Sequence, residues 1–237
     1  MTGEFVIEPI YAAIECIEGT DWARVYVSDG LKNELKIGII DRNTGNLILP
    51  TDNSRLSIFS DGVAVVQGTD GRYKVIDEQG KVLFEKEAGF CDDLYVFKEG
   101  IARFLIRVEG QSSWESRYGF IDKTGKVIIE PKLLDAGDFT DGKALVVTAE
   151  GQNALVDREG KVLKTYDFAK CSSLSEGLFV YKDRRTGLYG YANLDGKPVT
   201  APDFAEAEPF QDGVAIVKVN DLVRGAILSL TGFNWKL

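Results

Sequence analysis

Histidine does not occur in this sequence. Its absence removes Ser-His-Asp and Cys-His nucleophile systems, His-ligated zinc and the common general base at neutral pH. Carboxylate-only chemistry stays open. Cysteine is scarce: Cys16, Cys91 and Cys171 are odd in number and far apart. That suits a reduced, intracellular chain, so the expected location is cytoplasmic. No apolar stretch approaches the roughly 20 residues that span a bilayer. "MTGEFVIEPIYAAIECIEG" lacks a positive n-region and carries Glu4, Glu8 and Glu15 in its apolar run, so no secretory signal is expected. Basic residues are outnumbered, 28 against 37 acidic, for a net charge of −9 and a pI near 4.8. Nucleic acid and anionic membrane both need basic surface and are not expected as partners, whereas a basic protein is permitted. No glycine cluster leads from a strand into a helix, so no phosphate cradle is present.

What the chain does contain is repetition. "YGFIDKTGKVIIEP" (Tyr118 to Pro131) is a strand, a tight turn and a second strand, and it recurs. The copies are "IGIIDRNTGNLILP" from Ile37, "YKVIDEQGKVLFE" from Tyr73, "NALVDREGKVLK" from Asn153, "YGYANLDGKPVTAP" from Tyr189 and "GAILSLTGFNW" from Gly225. Their turn residues Asp41, Asp77, Asp122, Asp157, Asn193 and Ser229 stand 36, 45, 35, 36 and 36 residues apart. A period near 36 with one long spacing marks repeated supersecondary units. A second signature lies between the copies: "FSDGVAVV" at Phe59, "FKEGIARFL" at Phe97, "FTDGKALVV" at Phe139, "LSEGLFVY" at Leu174 and "FQDGVAIV" at Phe210.

Turn chemistry accounts for these residues. An aspartate can accept the turn's own amides, and glycine takes the positive φ of a short hairpin. A calcium reading needs several oxygens converging on one loop, and each turn offers one or two, so no metal and no cofactor is expected. In "VAVV" (Val63 to Val66), "ALVV" (Ala144 to Val147) and "VAIV" (Val214 to Val217) both faces are apolar, so the strands should be covered on both sides by stacked repeats.

These residues resemble the bacterial WG-repeat family. The match is carried by Tyr118, Gly119, Phe120, Ile121, Asp122, Gly125, Lys126, Pro131, Phe139, Asp141 and Gly142. It recurs in Tyr189, Gly190, Tyr191, Gly196, Lys197, Pro202, Phe210, Asp212 and Gly213. No copy has the Trp-Gly pair, and Lys74 and Ala154 replace its glycine. The resemblance implies a β-repeat scaffold for protein interaction and no catalytic residues.

The fold expectation is one all-β repeat domain over 1–237, a closed six-bladed β-propeller, with an open β-solenoid as the alternative. The repeats fall near 1–30 with 222–237, 37–66, 73–105, 118–147, 153–181 and 189–217. "FVIEPI" (Phe5 to Ile10) matches the middle of a repeat and "GAILSLTGFNW" supplies its front, so both termini would share one blade.

Candidate chemistry is thin. Cys16, Cys91 and Cys171 fall in slots where other repeats place Ala136, Ala207, Leu133, Phe168 and Phe204, which makes them core residues. The pair Asp92-Asp93 could serve acid–base work, but adjacency among 37 acids is expected by chance. The unusual feature is "VEGQSSWESR" (Val108 to Arg117), a swollen loop holding Trp114, with the basic "DRRTGL" (Asp183 to Leu188) in the equivalent loop of a later repeat. An aromatic beside arginines suits a binding hot spot, so Trp114, Arg117, Arg184 and Arg185 are the candidate partner-binding residues. Two function classes follow. One is a non-catalytic interaction scaffold for a protein partner, in a concrete form an acidic immunity-type antagonist of a basic toxin or nuclease. The other is a propeller-type small-ligand binder or carboxylate-dependent enzyme.

Overall fold

The structure, a computed structural model, describes residues 6–7, 9–28, 30, 34–110, 114–219 and 225–229. Among them the regular structure is entirely β. The turns show why. Asp77 Oδ1 accepts the N–H of Gln79 at 2.9 Å and of Lys81 at 2.9 Å. Asp122 takes those of Thr124 and Lys126 at 2.9 and 3.0 Å, and Asp157 those of Glu159 and Lys161 at 3.1 and 2.8 Å. One carboxylate thereby satisfies two amides that a two-strand ladder leaves unpaired. The glycine that follows, such as Gly160 at φ 80°, adopts the left-handed backbone the reversal needs.

The second signature is also a turn. Asp61, Glu99, Asp141, Glu176 and Asp212 have φ between 50° and 56°, and each precedes a glycine of positive φ. Two such residues in succession make the hairpin turn whose twist matches the strands. A non-glycine residue there costs about 1 kcal/mol. Contacts to the next repeat offset that cost. The Glu176 carboxylate accepts the Gly213 N–H at 3.1 Å, and Asp61 accepts that of Gly100. Ser60 and Ser175 hydroxyls each donate at 2.7 Å to the carbonyls of Phe97 and Phe210. The Asp61 and Glu176 turns thus tie their repeats to the following ones.

The contacts divide the chain into two compact units, Met1–Ala102 with Asp122–Lys126, and Arg103–Ile121 with Val127–Leu237. In the first, β1 (Ala13–Cys16), β2 (Trp22–Ser28), β3 (Leu35–Asp41), β4 (Leu47–Leu56), β5 (Val63–Gly68), β6 (Tyr73–Asp77) and β7 (Val82–Lys86) form one antiparallel sheet in chain order. The long β4 joins two repeats: Leu49 pairs with Ile39 of one, Leu56 with Val66 of the next. Asn53, buried at the junction, donates to the Ile37 and Pro50 carbonyls. A short β8 (Asp93–Leu94) follows.

In the second unit β9 (Ile101–Glu109), β10 (Trp114–Asp122) and β11 (Val127–Leu133) lie side by side. Next come the sheets β12 (Asp135–Ala136), β13 (Lys143–Val147), β14 (Asn153–Asp157), β15 (Val162–Tyr166), then β16 (Lys170–Ser175), β17 (Leu178–Lys182), β18 (Tyr189–Asn193). Last are β19 (Glu206–Ala207), β20 (Val214–Lys218) and β21 (Gly225–Ser229).

Stacking buries both faces of the middle strands. On β17, Phe179 and Tyr181 join Leu145 and Leu155 of the preceding repeat, while Leu178 and Val180 join Phe210, Ala215 and Val217 of the following one. Each such apolar side chain contributes about 1.5–3 kcal/mol on burial. Val63 to Val66 are all buried, as the apolar pattern requires.

Two expectations are corrected. Val214 and Ile216 are 42% and 64% exposed, because the described residues cover only the Ala215 and Val217 side of β20. Cys16, expected in a core slot, is exposed. It lies on the edge strand β1, paired with Ala23 of β2. Cys91 and Cys171 are buried as expected, and all three thiols are free. The sheet expected from both termini rests largely on residues outside the described ones, including Phe5 and residues 230–237.

Candidate functional site

The insertion in the third repeat is not a swollen loop. Strand β9 runs to Glu109 and β10 resumes at Trp114, so the added residues lengthen both arms of a hairpin to nine residues each. Alternating apolar and polar residues in "IRVE" satisfy a strand period, which a loop reading overlooks. Trp114 opens β10 and is 69% exposed.

Strand alternation then separates the candidates. Trp114 and Arg117 are three residues apart and point to opposite faces. Arg117 turns to Glu115 on its own face, pairs with that carboxylate, and donates to the Ser116 carbonyl at 2.9 Å. Arg184 and Arg185 belong to the β17–β18 turn. Arg184 Nε meets Asp167 Oδ1 at 3.0 Å. Asp183 Oδ1 accepts the Arg185 and Thr186 amides at 3.0 and 2.7 Å. The Thr186 amide, then the Thr186 hydroxyl and the Arg185 amide, hold the Asp183 carboxyl below the usual carboxylate range. Local carboxylates partly neutralise the basic spot at Arg184 and Arg185.

The adjacent acids Asp92 and Asp93 are engaged by neighbours. Asp93 pairs with Arg55, and the Asp92 carbonyl accepts the Tyr73 hydroxyl at 3.1 Å. Carboxylates displaced from ordinary acidity, Asp41, Asp122, Glu150 and Asp183, are all displaced downward. Burial pushes the Cys91 and Cys171 thiols up to about 12.

One feature escaped the sequence reading. A cleft of about 490 Å³ in the first unit is lined by Glu15, Cys16, Ile17, Glu18, Arg24, Ser57, Ile58 and Phe59. The signal was present in the repeated "WAR" and "IAR", where Arg24 and Arg103 hold equivalent positions.

A family model described as the WG-containing repeat matches residues 118–149 and 189–222. These two stretches are WG repeats. The matched WG repeats hold Trp114's neighbour strand and the strand that follows the Arg184–Arg185 turn. No curated protein matches the chain in sequence. Among solved structures the chain is similar to the computationally designed Ika8 protein, with 16% identity and a TM-score of 0.50 over 92% of this chain and 71% of that one. It also matches the β-propeller domain of the Trilobed protease from Pyrococcus furiosus (14% identity, TM-score 0.49, 94% and 82% covered). A third match is the WD40 β-propeller domain of Doa1 (18% identity, TM-score 0.41, 88% and 75% covered). The chain is an all-β repeat protein, and its WG repeats set the strand and turn plan of both matched stretches.

Proposed function

We propose that this chain is a non-catalytic protein-interaction scaffold, closed as a six-bladed propeller, that engages its partner through the β9–β10 hairpin. The exposure of Trp114 on that hairpin carries the reading. An exposed indole on a rigid strand offers large contact area at low entropic cost, the profile of an interface anchor. Downward-shifted carboxylates fit a non-catalytic role, since acid–base work at neutral pH favours groups shifted toward 7.

Closure is supported at the first turn. A β-carbon on Gly45 would lie 2.5 Å from the Val6 carbonyl oxygen. The equivalent glycines, Gly160 and Gly196, press against the outer strand of the preceding repeat, at Ile129 and Tyr166. Val6 therefore stands where the outer strand of a preceding sheet belongs. The last sheet, β19-β20-β21, is one of two that lack such a strand among the described residues, the other being β16-β17-β18. An open β-solenoid is the competing arrangement.

The net charge of −9 supports a basic protein partner over nucleic acid or anionic membrane, and a cytoplasmic setting. An immunity-type antagonist of a basic toxin or nuclease is the specific form. Wild-type protein and Trp114→Ala, used as paired baits in an extract of the native host, test the reading. A partner held by the wild type and lost by the variant agrees. A partner held equally by both moves the interface away from the hairpin.

A further inference from the structure

The chain contains an internal comparison that bears on the Arg24 cleft. Arg24 on β2 and Arg103 on β9 follow Ala23 and Ala102 in the same position of their repeats. Both reach forward to the next repeat: Arg24 Nη2 donates to the Ser57 carbonyl at 3.3 Å, and Arg103 Nη1 to that of Ala136 at 2.7 Å. They then diverge. Arg103 Nε, which like Arg24 Nε is shut off from solvent and makes no hydrogen bond among the described residues, faces a counter-ion, Asp138 Oδ1, at 3.4 Å. The residue aligned with Asp138, one before Phe59 as Asp138 is one before Phe139, is Ile58. Ile58 is 69% exposed, a poor place for an isoleucine with nothing to cover.

Arg24 therefore lacks the facing carboxylate that Arg103 has. Its side chain is 22% exposed, and its Nε is shut off from solvent with no acceptor among the described residues. The Glu15 carboxylate lies 3.8 Å from Nη1, on the other edge of the guanidinium, and already accepts the Tyr26 hydroxyl at 2.7 Å. A guanidinium with a buried, unanswered N–H gains more from an anion than a solvated one does. The space in front of it is the 490 Å³ cleft, within the size range of small-molecule sites, and Ile17, Ile58 and Phe59 make its apolar wall.

We infer that this cleft binds a monocarboxylate with a compact apolar body, its carboxylate taking toward Arg24 the place Asp138 takes toward Arg103, its body lying on Ile58 and Phe59. Glu15 and Glu18 at the rim repel polyanions, which sets a single-charge limit on the ligand. A free small acid and the C-terminus of a peptide share this chemistry.

The test is titration of the full chain with 4-methylpentanoate, with 4-methylpentanamide as the uncharged control, followed by ligand-observed NMR. Acetyl-Gly-Leu with a free carboxylate is the peptide arm. Saturable binding of either acid, with the amide at least tenfold weaker, is expected. Ile58→Asp, which rebuilds the internal counter-ion, should weaken the acid at least tenfold while leaving the fold intact, and Arg24→Met should do the same. Tight binding of the peptide alone identifies a chain terminus as the source, and of the pentanoate a free acid. The inference is overturned if neither acid saturates, if acid and amide bind alike, or if Ile58→Asp binds as the wild type does.

Discussion

Gly160 lies so close to Ile129 that a β-carbon on it would come within 2.8 Å of Cγ1. The turn of one repeat is thereby seated on the outer strand of the repeat before it. Gly160 also has φ 80°, a conformation that costs an L-residue about 1–2 kcal/mol. Overpacking adds about 1–3 kcal/mol. Gly160→Ala should therefore lose about 2–5 kcal/mol in urea unfolding. Gly177→Ala, at φ 73° with open space around it, should lose only the backbone part. Equal losses at both sites would show that the seating contributes nothing.

The aspartate turns make stability acid-sensitive. Burial pushes the Asp122 carboxyl up, but the Thr124 hydroxyl and the Lys126 and Thr124 amides outweigh it and the net shift is downward. A group depressed in the folded state stabilises fully above its unfolded value, near 4, and loses that contribution as pH falls through the folded value. Tm should stay level from neutral pH to about 5 and fall below about 4. Asp122→Asn should flatten that fall. A variant with the same acid limb as the wild type would remove Asp122 from the cause.

Cys91 and Cys171 should be inert in the native protein. With thiols pushed up to about 12 by burial, almost no thiolate exists at pH 8. Both should react with a thiol reagent only on denaturation. Rapid native labelling of Cys171, followed by peptide mapping, would contradict the buried placement.

Trp114→Ala should leave unfolding free energy within about 0.5 kcal/mol of wild type, as befits an exposed site. Against a captured partner it should cost about 1 kcal/mol or more, measured by calorimetry. A loss of several kcal/mol in stability would place the indole in the core.

The period near 36 and the Asp-x-x-Gly turns were legible from residue identity alone, because turn chemistry is local: one carboxylate, two amides, one positive φ. What depended on neighbours was not. "VAIV" reads like "VAVV", yet Ile216 is exposed where Val65 is buried, since burial belongs to the pair of sheets and not to the strand. Cys16 and Cys171 occupy one slot, but Leu145 and Leu155 lie over Cys171 alone. At the hairpin, counting extra residues located Trp114 but missed that they extend strands, which sends Arg117 to the other face. The Arg24 cleft needed a comparison between repeats, Ile58 against Asp138, that conserved features hide.

Closure of the ring is the central claim, and removal of residues 222–237 tests it most directly. The cut takes β21 from the last sheet. In an open row each repeat leans only on its neighbours, so the remaining sheets would keep their transition. In a closed propeller the same cut opens the ring and leaves the first repeat uncovered as well as the last. The measurement is thermal unfolding of the full chain and of the truncated one. The closed ring predicts loss of the cooperative transition in the truncated chain. A native-like melting transition there would contradict closure and leave the open row.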